Sequence, residues 1–218
     1  MAELRVKSTG TLKLFESDNT SSVTIASPAS LGGDRTITLP DADVTLSSGT
    51  MATTNGITEA DFWRITSTYS DTEDDGFVFT TNWERVDTDS FDKIGTGMSE
   101  SSGIFTFPST GIYLVEARFV VYDDRSHAVI IGDLEITTDD GSYGDAAQAR
   151  TNLYAPSTAY NYFSSCICSH QFDVTDVATH KVRLVGRSQG NELTDTMNWQ
   201  GGTNETQTSI RFTRLGDT

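Results

Sequence analysis

The sequence of 218 residues predicts an all-β protein, an antiparallel sheet sandwich preceded by a small β-rich segment. Three observations carry the prediction. From Phe62 onward, apolar residues recur at every second position in short runs, the spacing of half-buried strands. Gly, Ser, Thr and Asp crowd the intervals and only four prolines occur, as in a chain of many strands joined by polar turns. No amphipathic helix of useful length competes, and no strand pattern alternates with a helical one as a parallel sheet requires.

The chain changes character near residue 56, which predicts two parts, 1–56 and 57–218. In the first, apolar residues come in i, i+2 pairs: Leu12 and Leu14, Val23 and Ile25, Ile37 and Leu39, Val44 and Leu46. Each pair suits one short strand, with turn formers ("ESDNTSS", "SPASLGGD", "PDAD") between them. So few apolar side chains cannot enclose a core from one chain. Against a loosely structured leader, the better reading is that these eight residues serve anchoring and assembly, pairing with further copies or a larger partner. "SSGTMATTNGITEA" reads as a linker with a short helical turn around residues 57–62.

Beyond it, strands are expected at 62–68, 77–87, 103–108, 111–123, 127–138, 158–174, 180–187 and 207–215. That number suits a sandwich of about eight to ten strands. In the long segment 111–123, Tyr113, Val115, Ala117, Phe119 and Val121 define a core face. The alternate positions, Glu116 and Arg118 among them, define a polar or interface face.

The net charge of −16 argues against nucleic acid, whose phosphates need clustered Lys and Arg. Residues 1–56 carry four basic and six acidic side chains and the remainder eleven and twenty-five, so the acidity belongs to the larger part. No run of eighteen apolar residues predicts a membrane span, and the first thirty residues lack the basic start and apolar stretch of a signal peptide. Cys166 and Cys168 on one strand face the same way about 7 Å apart and cannot bridge each other, which suits a reducing cytoplasm.

With "WERVDTDSFDKIGTGMSESSGIFTFPSTGIYLVEARFVV", the larger part resembles the jelly-roll heads of the complement C-one-q and tumour necrosis factor group. That family's "G-x-F-x-x-P-x-x-G-x-Y" ahead of a long central strand is matched by Gly103, Phe105, Pro108, Gly111 and Tyr113. "FDVTDVATHKVRLVGR" and "TSIRFTRLG" resemble its later strands, and the likeness covers about residues 62–216. The N-terminal part is similar to a segment near the start of many tailed-bacteriophage virion proteins, "I-x-A-P-A-S-L…T-x-T-L-P". It is matched by Ile25, Pro28, Ala29, Ser30, Leu31, Thr36, Thr38, Leu39 and Pro40, with Ser27 immediately before Pro28. These resemblances imply a homotrimeric virion protein, made in the host bacterial cytoplasm, whose N-terminal part docks on a capsid or tail protein. Its knob would decorate or stabilise a head, or adhere to a host surface glycan as a head fibre or short tail fibre. The even face of the long strand, or Tyr122 or Phe163, would supply subunit contact. A soluble carbohydrate-binding module or adhesin without a virion role is the alternative.

Individual side chains point to little chemistry. Cys166, Cys168 and His170 offer soft ligands along one strand, but zinc wants four that converge. Asp74, Asp75, Asp139 and Asp140 lie in acidic turns that could offer oxygen to calcium, without the spacing of a twelve-residue calcium loop; no other cofactor is suggested. Tyr154, Tyr160 and Trp199, in segments read as long loops, are candidate surface contacts for a ligand. No nucleophile, zinc-hydrolase or phosphate-binding motif occurs, and His127, His170 and His180 stand apart, so no catalytic residue is assigned and an enzyme is not expected.

Overall fold

A computed structural model describes residues 11–15, 17–18, 20–26, 56–71, 76–88, 90–189 and 196–218. These residues fall into two units, an N-terminal hairpin and a C-terminal sandwich. The hairpin joins β1 (Thr11–Phe15) to β2 (Ser22–Ala26), with Leu12 opposite Ile25 and Leu14 opposite Val23. Each of these two apolar pairs of the sequence thus lies on one strand. Ile37, Leu39, Val44 and Leu46 lie outside the described residues.

The sandwich strands are β3 (Ala60–Ile65), β4 (Tyr69–Asp71), β5 (Phe77–Val78), β6 (Trp83–Arg85), β7 (Ser99–Ser101), β8 (Ile104–Thr106) and β9 (Gly111–Asp123). They continue with β10 (His127–Thr137), β11 (Gly144–Leu153), β12 (Tyr162–Val174), β13 (Lys181–Gln189), β14 (Met197–Trp199) and β15 (Ser209–Gly216). They form two antiparallel sheets. One runs β11-β10-β13-β8-β7, with β5 also on β13. In the other, β9 pairs along its whole length with β12 on one edge; the opposite edge is shared by β15 and, near its end, β14. Strands β3 and β6 extend that sheet beyond β15, and β4 lies beyond β14.

The long strand is central, as its alternation predicts: Tyr113, Val115, Ala117, Phe119 and Val121 are all buried. Gly111 opens it at φ +143°, where a side chain would meet the Gly216 carbonyl at 2.6 Å and the Arg214 side chain. This is the tight entry that the motif glycine supplies. The Ser102–Gly103 turn between β7 and β8 has both φ positive (53° and 81°), the conformation that lets a two-residue hairpin follow the strand twist.

Several boundaries differ from expectation. The strand expected at 62–68 is β3, Ala60–Ile65; its first residues, 60–62, are strand rather than the end of a helical turn, because pairing to β15 overrides a weak local preference. The expected strand 77–87 is two short pieces, since β5 belongs to one sheet and β6 to the other. Strands β4, β7, β11 and β14 were not anticipated, so with the split of 77–87 the sandwich has thirteen strands among the described residues.

Asp61 ties β3 to its neighbours: its buried carboxylate accepts from both Arg85 Nε (2.9 Å) and Nη2 (3.1 Å), from Trp63 Nε1 (2.9 Å) and from the Met98 amide (2.7 Å). In the core, Gly132 on β10 and Gly186 on β13 sit directly opposite each other. A methyl group on Gly132 would enter the Phe119 ring, and one on Gly186 would lie 2.8 Å from the Trp199 ring. The paired glycines form a flat window that receives these two aromatics, which pack edge to face at 5.8 Å. Outside the same sheet, Arg187 lies 2.7 Å from Asp133, 3.4 Å from Glu135 and 3.5 Å from Asp145, while Arg183 pairs with Glu135 at 2.6 Å. Burial holds the Asp133 carboxyl above its ordinary pKa, against the opposing pull of Gln148 and Arg187.

Candidate functional site

The outer face of the sheet built on β9 departs most from an ordinary solvated surface. Side chains alternate across β9, so Leu114, Glu116, Arg118 and Tyr122 turn away from the core. Register with β12 sets Phe163 beside Tyr122 and Ile167 beside Arg118; register with β15 sets Arg211 beside Glu116. Phe163 is 61% exposed and Ile167 65%, and the Phe163 and Tyr122 rings lie 5.6 Å apart. The Arg211 guanidinium stacks 4.5 Å above the Phe62 ring. Around that stack lie two open grooves. One, of about 330 Å³, is lined by Phe62, Glu116, Arg118, Ile167 and Arg211; the other, of about 440 Å³, is lined by Phe62, Phe91, Ile94 and Arg211. Single exposed apolar residues are ordinary, but apolar side chains that share a face with open grooves and charges of both signs make a surface suited to protein contact.

The other sequence-derived candidates are scattered. Trp199 is a correction: on β14 it is 1% exposed, packed against Phe77, Phe79 and Phe119, and it is core rather than ligand contact. Its segment carries a short strand that closes the sheet over the end of β9, which places the indole inside. Tyr154 and Tyr160 are 74% and 71% exposed, in the connection between β11 and β12. Asp139 Oδ1 accepts from the Thr137 hydroxyl (2.7 Å) and the Gly141 and Ser142 amides (both 2.9 Å), which hold its carboxyl below the ordinary range. Asp140 pairs with Lys181. Both carboxylates are thus engaged in the turn, and Asp74 and Asp75 lie outside the described residues.

Cys166 and Cys168 are free and buried, with their sulfurs 3.9 Å from the Ala149 and Gly132 carbonyls. Loss of hydration pushes the thiols up to about 11 and about 12, which makes them inert core residues. His170 shares their face but lies against Phe172, ring centres 6.2 Å apart. Among the described residues no group of three His, Cys, Asp or Glu is placed to hold a metal, and no helix is long and apolar enough to cross a membrane.

Sequence reasoning missed one polar constellation at the far end of β9. His127 Nε2 and Asp123 Oδ2 are 2.6 Å apart and both side chains are buried. The other Asp123 oxygen accepts from the Asp124 amide at 2.6 Å. Beside them is a pocket of about 330 Å³ lined by Asp123, Asp124, Arg125, Asn161, Thr196 and Asn198. These residues come from three separated segments, and no local spacing announces them.

No protein-family model matches the chain, and no curated protein does. Solved structures with a similar fold include Eiger TNF from S. frugiperda, at 14% identity and a TM-score of 0.52, covering 73% of this chain and 93% of that one. They also include murine APRIL crystallised at pH 5.0, at 13% identity and a TM-score of 0.51, covering 72% of this chain and 98% of that one. The sandwich is therefore a jelly roll of the tumour necrosis factor type, as the glycine and aromatic motif ahead of β9 implies.

Proposed function

We propose that the protein is a non-enzymatic virion structural protein, a homotrimer whose residues 1–56 attach to a capsid or tail protein and whose jelly roll projects as a knob. The observation that carries the trimer is the outer face of the β9 sheet, where exposed Ile167 lines a groove with Glu116, Arg118 and Arg211 and Phe163 stands exposed beside Tyr122 farther along the same strand pair. A heterologous contact closed by a threefold rotation buries such a face once per subunit and leaves no open end. The trimeric habit implied by the jelly-roll resemblance favours that closure over others.

Attachment is supported by the hairpin and by the phage-like motif that begins at Ile25. An isolated two-stranded ribbon is marginal in water, and among the described residues the hairpin exposes Leu14 (54%) and Phe15 (57%). Docked on a particle, three knobs decorate or stabilise it, and weak contacts to a host surface add through effective concentration.

Light scattering on the full-length protein is expected to give three times the chain mass. Particles lacking the protein are expected to take up the full chain and not the fragment 57–218. Uptake of the fragment equal to that of the full chain would remove the anchoring role, and a monomeric full-length protein would remove the trimer. The reading as a soluble carbohydrate-binding module instead expects residues 1–56 to be dispensable for every activity.

A further inference from the structure

We infer that the polar pocket at the end of β9 is a saccharide-binding site. A pyranose presents hydroxyls that each donate and accept, so its site needs both kinds of partner fixed at close range on a small concave surface. All six lining residues are polar. Asp124 supplies acceptor oxygens, Arg125 donors, and Thr196 and Asn161 both. Asn198 is oriented by Ser70, whose hydroxyl donates to Asn198 Oδ1 at 2.7 Å. With its carbonyl oxygen engaged there, the amide N–H groups are its main capacity toward a ligand. A volume of about 330 Å³ is at the small end of ligand pockets and suits one or two sugar rings.

The floor is preorganised. Asp123 is held by His127 on one oxygen and by the Asp124 amide on the other, so the turn carrying Asp124 and Arg125 is set before any ligand arrives. Such preorganisation matters for sugars, whose contacts replace equally good ones to water. Tyr160, next in the chain to Asn161, is 71% exposed and offers an aromatic surface of the kind that stacks on a sugar ring. A bare cation fits less well, because the Arg125 guanidinium lines the same pocket. The lining residues are this chain's own, and the saccharide site stands or falls apart from the trimer and the virion.

The test is saturation-transfer NMR on the full-length protein with glucose, galactose, mannose, rhamnose, N-acetylglucosamine and glucuronate at millimolar concentration. At least one is expected to receive saturation. Its titrated affinity is expected to fall about tenfold or more in Asp124→Ala and in Asn161→Ala, and to be unchanged in Ser101→Ala on β7. Asp124 and Asn161 are solvent-accessible, so these variants keep the fold; Asp124→Asn, which keeps the shape and removes the charge, is a second check on the carboxylate. Absence of transfer to every sugar overturns the inference. So does transfer that survives both alanine substitutions, because the sugar would then bind elsewhere.

Discussion

Ile167→Glu tests the proposed subunit contact. Burying a whole isoleucine side chain is worth about 1.5–3 kcal/mol. Ile167 is 65% exposed in the single chain, so a contact that covers it gains about 1–2 kcal/mol per copy, or about 3–6 kcal/mol per trimer. At about 1.4 kcal/mol per factor of ten, losing that apolar contribution alone raises the trimer dissociation constant by about a hundredfold to ten-thousandfold. The new carboxylate adds a desolvation cost and one more negative charge on a chain already at −16. The fold should tolerate the change, because position 167 faces Arg118 across the strand pair and gains an opposite-charge neighbour. Sedimentation velocity over a dilution series is expected to show the wild type as a trimer and the variant dissociating at far higher concentration, with unchanged circular dichroism. A variant that stays trimeric at every dilution where the wild type does would show that this face is not the interface.

Three further outcomes follow from the packing. Gly132→Ala drives a methyl group into the buried Phe119 ring and is expected to cost about 1–3 kcal/mol in urea unfolding; an unchanged midpoint would mean the glycine window yields freely. Arg187→Met leaves Asp133 and Glu135 short of a cation and is expected to cost about 2–4 kcal/mol at neutral pH, below the full value for a buried pair because Arg187 is 28% exposed. Because burial raises the Asp133 pKa, that carboxyl is among the first to become neutral on acidification. The deficit of Arg187→Met should therefore shrink as pH falls toward the carboxylate range, and a constant deficit would count against the pairing. Cys166 and Cys168 should resist a thiol-reactive disulfide until the protein unfolds. Their folded values of about 11 and about 12 lie above the ordinary 9.0, so the unfolded chain releases these protons first. Stability from this source is full below pH 9 and declines as pH rises through that interval; the cysteine-to-alanine double variant should show a smaller alkaline loss.

What was legible in the sequence is what depends on local alternation. Segment 111–123 reads as one strand because five inward positions in a row are apolar or aromatic, and the Gly111 turn ahead of it needs a residue free to take φ +143°. Strand β11 escaped because its inward positions include Ala147 and Ala149. Alanine has little strand preference, and on this edge strand it leaves room for the opposite sheet rather than filling it. The segment around Trp199 read as a loop because its strand is only three residues long and is held by Tyr122 and Val121, distant in the chain.

The proposed interface divides the same way. Half of that face belongs to β9 and could be anticipated as its even positions. Which β12 residues stand beside them is a matter of register, and a one-residue slip would have turned Ile167 and Phe163 inward and the cysteines outward. That register is held by burial: Cys166, Cys168, Phe172 and Val174 all enter the core, so their neighbours must face out. The exposure of Phe163 and Ile167 is thus not a defect of packing. Both positions were free to be polar, as Ser165, Ser169 and Gln171 on the same face are, and two large apolar side chains there add nothing to the core of a single subunit. A contact between copies gives them a use, and for that reason Ile167→Glu should leave the single-chain fold intact while it breaks the trimer.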